Sequence, residues 1–274
     1  MINNKSIIIS GASGFIGNYF FKKIYYTNYK IFYLYYKSKI RKKKNVNYIK
    51  VDLTKERNIK KILNKIKPNY FVHFAALKNP RENEKKKKIA SNINFGAVKY
   101  ILKYLDKKTH FIFLSTDKVY SRNVKFAKES SKCKPSTLYG KLKLKSEKLI
   151  KKQTKFYTVF RVPIVFGFGK KNESFIDDIL IKTKKNKKKI GIAKNIVRSF
   201  VCIDELVTII EKIIKFNIFG TFNIGTKGIS YFNLLKKIKC TNIYPSYIQN
   251  ILPEHQELCT KKIKKLFKKK QILI

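Results

Sequence analysis

The chain has 274 residues, of which 44% are hydrophobic and 14% aromatic. This composition excludes an intrinsically disordered protein, and the length suits a nucleotide-binding domain that carries a smaller lobe. The formal net charge of +48, from 64 basic and 16 acidic residues, by itself suggests nucleic acid or another anionic partner.

The kind of basic residue argues against that partner. Only six basic residues are arginine, which base-reading proteins favour for bidentate contacts, and the lysines are spread along the whole chain. Lys, Asn, Ile, Phe and Tyr dominate, as an AT-rich genome would impose. We therefore expect no specific nucleic-acid partner, and a protein recruited to nucleic acid by its charge stays an alternative.

Other broad classes of protein are excluded by simple patterns. The four cysteines stand far apart, without Cys-x-x-Cys spacing, so we expect neither a disulfide framework nor a metal site. No apolar run approaches the ~20 residues of a membrane-spanning helix. The first ten residues are too short and polar for a signal peptide. We expect a soluble, cytoplasmic protein with no membrane partner.

Strand-like and helix-like segments alternate as far as Pro163. Predicted strands cover residues 6–10, 31–36, 46–51, 70–76, 109–114 and 156–162, and predicted helices cover 15–26, 54–66, 91–105 and 137–152. Thr54 is the expected N-cap of the second helix. This alternation predicts an α/β protein with a Rossmann-type doubly wound parallel sheet. Regularity drops after Pro163, so we expect a dinucleotide-binding domain over 1–163 and a smaller C-terminal substrate-binding lobe over 164–274, partly interleaved with the main sheet.

A glycine-rich turn lies between the first predicted strand and helix, at Gly11-x-x-Gly14-x-x-Gly17. Such a turn lets the backbone approach a dinucleotide pyrophosphate at a helix N-terminus. Enzymes that use NAD often place an acidic residue at the end of the second strand, and residues 35–41 contain none. The cofactor is therefore NAD or NADP, and the missing acid favours NADP.

Tyr139 and Lys143 are the predicted catalytic pair, one turn apart on a helix. The chain contains six Tyr-x-x-x-Lys pairs, so position must select among them. This pair follows Ser115-Thr116-Asp117, which ends a predicted strand where open α/β sheets bind ligands. Tyrosine has a pKa of about 10, and a base near neutral pH needs it lowered by ~3 units. We expect Lys143 and an oxidised nicotinamide to lower it, and Thr116 to bond the same substrate oxygen.

These residues resemble the extended short-chain dehydrogenase/reductase family, in its group of NAD(P)-dependent nucleotide-sugar epimerases, dehydratases and reductases. The resemblance implies that Asp52-Leu53 lies at the adenine, that the His73–Ala76 segment lines the cofactor, and that Asn94 is structural. The cofactor-binding residues that it implies are Gly11, Ser13, Gly14, Phe15, Ile16, Gly17, Asp52, Leu53, Phe74, Ala75, Ala76, Tyr139 and Lys143.

The later part of the chain extends this resemblance. Arg161-Val162-Pro163, followed by Gly167 and Gly169, resembles the segment by which the chain leaves the central sheet in this family. The resemblance implies that Asp117 and Arg198 bind the substrate, with Arg198 at its diphosphate. Residues 252–255, Leu-Pro-Glu-His, depart from the Arg-Pro-x-Asp of many relatives, so the arginine and aspartate that the family uses there for the nucleotide half of the substrate are replaced.

The resemblance also narrows the reaction. Dehydratases of this group follow the threonine with Asp and then Glu, whereas Asp117 is followed here by Lys118. This leaves 4-keto reduction or 4-epimerisation of a nucleotide-linked sugar, and the length is closest to dTDP-4-dehydrorhamnose reductases. A homodimer is expected from the relatives. A non-catalytic dinucleotide sensor or assembly subunit on the same fold stays the alternative.

Overall fold

The computed structural model describes residues 5–167, 174–185, 189–249 and 255–269. Its strands are β1 (Ser6–Ser10), β2 (Lys30–Tyr35), β3 (Val46–Lys50), β4 (Tyr70–His73), β5 (His110–Thr116), β6 (Val124–Ala127), β7 (Tyr157–Val162), β8 (Ile164–Phe166), β9 (Ile190–Ala193), β10 (Val197–Arg198), β11 (Phe200–Cys202), β12 (Gly220–Asn223), β13 (Ile229–Ser230), β14 (Ile243–Ser246) and β15 (His255–Leu258). Its helices are α1 (Phe15–Ile24), α2 (Glu56–Ile66), α3 (Pro80–Lys85), α4 (Lys87–Ser91), α5 (Ala97–Tyr104), α6 (Leu138–Gln153), α7 (Phe175–Lys185), α8 (Ile203–Lys215), α9 (Tyr231–Lys237) and α10 (Lys261–Lys269).

Seven strands form one parallel sheet in the order β12-β7-β5-β4-β1-β2-β3. The side chains of β1 alternate between two cores: Ile7 and Ile9 pack with α1 and α8, whereas Ile8 packs with α2 and α5. Apolar residues on both faces are what a sheet covered by helices on both sides requires. The predicted Rossmann-type doubly wound fold is therefore confirmed.

Two predicted helices differ in detail. The predicted helix 54–66 begins at Glu56, and its N-cap is Lys55 rather than Thr54. The Thr54 prediction was wrong because both its backbone N–H and its hydroxyl bond the Asp52 carboxylate. The predicted helix 91–105 contains a π-helical turn, Asn92–Gly96, between α4 and α5.

The described part of 164–274 forms small sheets beside the main one. A four-stranded sheet has the order β13-β10-β15-β6, and β8 pairs with β11 while β9 pairs with β14. From the same region, β12 joins the main sheet next to β7, and α8 covers that sheet with α1. None of the described helices is long and apolar enough to cross a membrane.

Candidate active site

The glycine turn packs against the segment that follows β4. Gly11 has a φ of +69°, and a Cβ there would lie 2.5 Å from the backbone nitrogen of Ala75. A Cβ on Gly17 would overlap the Gly11 carbonyl oxygen. These contacts require glycine at both positions, because any side chain would push the turn away from residues 74–76 or from the start of α1.

Two adjoining cavities open at the carboxyl edge of the sheet, with volumes of about 580 and 420 Å³. Both are lined by Gly11, Gly14, Phe74 and Ala76, so the glycine turn lies where they meet. The larger cavity is also lined by the predicted residues Ser13, Asp52, Leu53 and Ala75. The smaller is also lined by the predicted residues Phe15, Ile16, Gly17, Thr116, Tyr139 and Lys143.

This cleft fits an extended dinucleotide. A Cβ on Gly14 would have one described neighbour within 4 Å, the Gly11 carbonyl oxygen at 3.3 Å, so this face of the turn is open. Gly14 is also the N-cap of α1, whose first N–H groups have no partner within the helix. Backbone donors and a turn that carries no side chain at Gly11 or Gly14 suit a pyrophosphate.

Asp52 lies at the end of the cleft beyond the turn. Its carboxylate accepts hydrogen bonds from the Thr54 backbone nitrogen at 2.9 Å and the Thr54 hydroxyl at 2.7 Å. Burial acts to raise the pKa of Asp52, but the bonds from Thr54, the charge of Lys55 and a bond from Tyr36 together outweigh it and lower that pKa. Asp52 is thus an ionised acceptor at neutral pH, placed where the resemblance puts the adenine.

Close packing brings α6 against the end of β5. Thr137 caps α6 by accepting from the Gly140 backbone nitrogen at 3.1 Å. A Cβ on Gly140 would overlap the carbonyl oxygen of Lys118, in the 3₁₀ turn that follows Thr116. The glycine therefore lets the first turn of α6, which carries Tyr139, approach the strand end that carries Thr116.

Tyr139 and Lys143 line the smaller cavity with Thr116. Among the six Tyr-x-x-x-Lys pairs, all within the described residues, this is the pair whose two members both line that cavity. Burial lowers the pKa of Lys143 to about 7, although Glu147 acts to raise it. The Lys143 ammonium nitrogen lies 4.1 Å from the centre of the Phe113 ring.

The protonation of Tyr139 differs from the expectation. Burial, and then the negative charge of Asp117, raise the pKa of Tyr139 rather than lower it. The reason is that burial affects both members of the pair: it disfavours the tyrosinate and also lowers the pKa of Lys143, the cation expected to stabilise that tyrosinate. In the chain alone Tyr139 is therefore a proton donor at neutral pH.

His73 supports the floor of the site. Its Nδ1 lies 2.7 Å from the Ser10 hydroxyl, and its ring stacks on Phe113 with centroids 6.0 Å apart. Burial, with a contribution from Lys143, lowers the pKa of His73 to about 3, so the ring is neutral. The described residues offer its buried Nε2 no hydrogen-bond partner.

The two predicted substrate residues lie on the side of 164–274. Asp117 is buried, accepts from the Thr116 hydroxyl at 3.1 Å, and its carbonyl accepts from Gln256 at 3.2 Å. Arg198 is buried in β10 in register with Gln256, and Asp117 and Tyr231 lie close enough to influence its charge. Arg198 is not among the described residues that line the two cavities.

The structure adds cleft residues that the sequence did not single out. Lys78 and Ser174 line the smaller cavity, and Tyr36 and Lys37 line the larger. Lys78 follows the His73–Ala76 segment by two residues, so that segment was a signal for it, whereas lysine is too common here to stand out. Gly169 and residues 252–254 lie outside the described residues. The described residues contain no cluster of three metal-ligating side chains.

Comparisons with known proteins agree with this architecture. Methionine adenosyltransferase 2 subunit beta of Danio rerio is 27% identical over 179 residues, 65% of this chain and 53% of that protein. The chain thus spans about half the length of these curated relatives. dTDP-4-dehydrorhamnose reductase of Bacillus anthracis, solved with NADP, has a TM-score of 0.80 at 19% identity, covering 96% of this chain and 93% of that one.

A second solved structure has the same fold. UDP-glucose 4-epimerase of Thermotoga maritima, solved with UDP-glucose, has a TM-score of 0.80 at 23% identity, covering 95% of this chain and 91% of that one. The profile of the NAD dependent epimerase/dehydratase family matches residues 7–225, which span β1 to the end of β12. This match includes the glycine turn, Thr116 and the Tyr139–Lys143 pair. The chain belongs to the NAD dependent epimerase/dehydratase family.

Proposed function

We propose that the protein transfers hydride at a carbon of a nucleotide-linked sugar, by 4-keto reduction or 4-epimerisation. The observation that carries this proposal is that Thr116, Tyr139 and Lys143 line one cavity with the glycine turn. Two hydroxyl groups and a lysine beside a dinucleotide turn provide a proton donor, an orienting donor and a cation around one substrate oxygen.

Tyr139 exchanges the proton. The Tyr139 hydroxyl lines the cavity and is protonated at neutral pH, so it can donate its proton to a keto oxygen there. Thr116 turns its hydroxyl from Asp117 to the same oxygen and orients the carbonyl. When bound, the dinucleotide supplies the hydride that the carbonyl carbon accepts. The ketone thereby becomes a hydroxyl, and the tyrosinate left behind is stabilised by the Lys143 ammonium.

The 164–274 region is proposed to hold the rest of the substrate. Arg198 is a buried cation beside Asp117 and Tyr231, which suits the diphosphate of a nucleotide-linked sugar. The solved relatives named for dTDP- and UDP-linked sugars support this class of substrate. Lys118 stands where a dehydratase carries its second acid, so elimination of water is not proposed.

NADP is the proposed cofactor in preference to NAD. Lys37 and Ser38 follow β2 and line the larger cavity. Among the described residues that line this cavity, Asp52 is the one with a carboxylate. That carboxylate is held by Thr54, so the end of β2 presents a cation instead of an acid to the ribose. A neighbouring cavity of about 690 Å³, which also contacts Ser13, is lined by Lys39 and the basic segment 41–44.

The test is turnover of nucleotide-linked 4-keto sugars and sugars by the wild-type protein and Tyr139→Phe. We expect the substitution to lower kcat by about 10²- to 10⁴-fold, because it removes the proton donor, with unchanged NADPH binding. Tyr104→Phe is the matched control, since Tyr104 heads another Tyr-x-x-x-Lys pair and its hydroxyl bonds Glu56. Equal loss in both variants, or none in Tyr139→Phe, would contradict the assignment.

A non-catalytic assembly subunit is the second candidate. Similarity to a protein named as a subunit of methionine adenosyltransferase 2 favours it. The same assay separates the two candidates: a wild-type protein that binds dinucleotide but turns over no member of the sugar panel supports the subunit.

A further inference from the structure

A buried carboxylate lies one helical turn beyond Lys143 and takes no part in the proposed chemistry. The side chain of Glu147 in α6 is 1% exposed. It accepts a hydrogen bond from the Ser115 hydroxyl at 2.5 Å and forms an ion pair with the Arg161 guanidinium at 2.7 Å. This carboxylate therefore joins α6 to β5 through Ser115 and to β7 through Arg161.

The guanidinium is itself fixed on its other side. Arg161 donates to the Tyr120 hydroxyl at 2.7 Å and to the Glu129 carbonyl at 3.1 Å. Tyr120 follows the turn after Thr116, and its hydroxyl lies 2.9 Å from the Asn223 side-chain oxygen. The two Nη1 bonds to Tyr120 and Glu129 restrain Arg161 from following Glu147 if α6 moves.

These bonds control a distance that matters for the site. Ser115 directly precedes Thr116, and Glu147 follows Lys143 by one turn of α6. The packing of Gly140 on Lys118 fixes the first turn of α6, and the Ser115–Glu147 bond fixes a point two turns later. With two fixed points, α6 can neither slide nor pivot over β5, so Tyr139 and Lys143 keep their places opposite Thr116.

We infer that Glu147 is a positioning residue, which holds the helix of Tyr139 and Lys143 in register with the strand of Thr116 through Ser115 and Arg161. This inference rests on the proposed function. The Ser115 bond ties this buried ion pair to the residue that directly precedes Thr116.

The test is Glu147→Gln, which keeps the size of the side chain but removes its charge. We expect kcat to fall about 10- to 100-fold, because small displacements of reacting groups have effects of this size, with KM and the NADPH dissociation constant within about twofold of wild type. Thr109→Val is the matched control: it removes one buried hydroxyl bond, to the Pro68 carbonyl, at the opposite end of β5. Its kcat should stay within about twofold of wild type at a temperature where it is folded.

Ser115→Ala keeps the test decisive if Glu147→Gln does not fold, since the Arg161–Glu147 pair remains. We expect its kcat to fall about tenfold; because Ser115 itself lines the smaller cavity, the variant is judged by kcat and not by NADPH affinity. A folded Glu147→Gln or Ser115→Ala protein with wild-type kcat overturns the inference, as does an equal loss in Thr109→Val. Failure of the proposed function gives a different result, because the wild-type protein then turns over no sugar.

Discussion

The two sides of the cleft are built in different ways. The proposed cofactor side comes from successive β-α units, and many of its lining residues directly follow β1, β2, β3 and β4. The proposed substrate side is assembled from distant segments: Gln256 in β15 bonds the Asp117 carbonyl, 139 residues earlier. The comparison teaches that local patterns encode the first side, whereas the second depends on strand pairings that no local pattern reveals.

The largest expected effect on cofactor affinity lies at Gly17. In Gly17→Ala the added Cβ meets backbone atoms of the turn, so the turn must move. If moving the turn to relieve this clash costs about 1–3 kcal/mol of binding free energy, the affinity for NADPH falls roughly 10- to 100-fold. Titration of protein fluorescence with NADPH measures this.

Gly96→Ala is the control for that substitution. A Cβ at Gly96 would lie 3.7 Å from the Ser91 carbonyl oxygen, an ordinary contact, so NADPH affinity should be unchanged. Wild-type affinity in Gly17→Ala would show that the turn is not as constrained as its packing indicates.

The free energy of unfolding at low pH should depend on residues 1–163, the regular half of the molecule in which strands and helices alternate. Burial lowers the pKa of His110 to about 4, from 6.5. The unfolded chain therefore binds more protons than the folded one between these values, and stability falls as pH drops through this range. For His110 alone the loss is about 3 kcal/mol.

Urea unfolding of His110→Gln between pH 7 and 4 measures this contribution. We expect a weaker pH dependence than in wild type, because the titrating ring is gone while the amide can still bond the Thr158 hydroxyl. The same pH dependence in both proteins would show that other groups cause the loss of stability at low pH. His73 contributes in the same direction, since its pKa is also lowered, to about 3.

On the proposed substrate side, Arg198→Lys should raise KM for the nucleotide-linked sugar without weakening the binding of the cofactor. Lysine cannot reproduce a bidentate contact with a diphosphate, so we expect KM to rise about tenfold. NADPH titration should give the wild-type dissociation constant. Arg122→Lys, at an exposed arginine, is the control and should leave both values unchanged. An equal change in KM and in NADPH affinity would contradict the assignment of the cofactor and the substrate to separate sides of the cleft.

The smallest expected effect concerns the choice of dinucleotide. Lys37→Ala removes one exposed cation from the end of β2, so NADPH affinity should fall about threefold to tenfold. NADH lacks the 2′-phosphate and serves as the internal control in the same titration. Equal losses for NADH and NADPH would contradict the proposed preference for NADP.

Much of the regular half could be predicted because its elements repeat. The buried run of β1, the glycine turn and the start of α1 follow one another in sequence, so periodicity and glycine spacing locate all three. Finer features were missed where a side-chain bond competes with a local preference. Thr54 bonds Asp52 instead of capping α2, and Asn94 accepts from the Leu77 backbone within a π-helical turn.

The sequence by itself determined the fold class and the Tyr139–Lys143 pair with its helix spacing, because both rest on short-range periodicity. Only the tertiary structure decided that this pair lines one cavity with Thr116, and that burial raises the pKa of Tyr139 rather than lowers it. It also decided that Glu147 meets Ser115 and Arg161, since these three residues lie on different elements. Burial and hydrogen bonding between distant segments depend on how layers pack, and spacing along a chain does not contain that information.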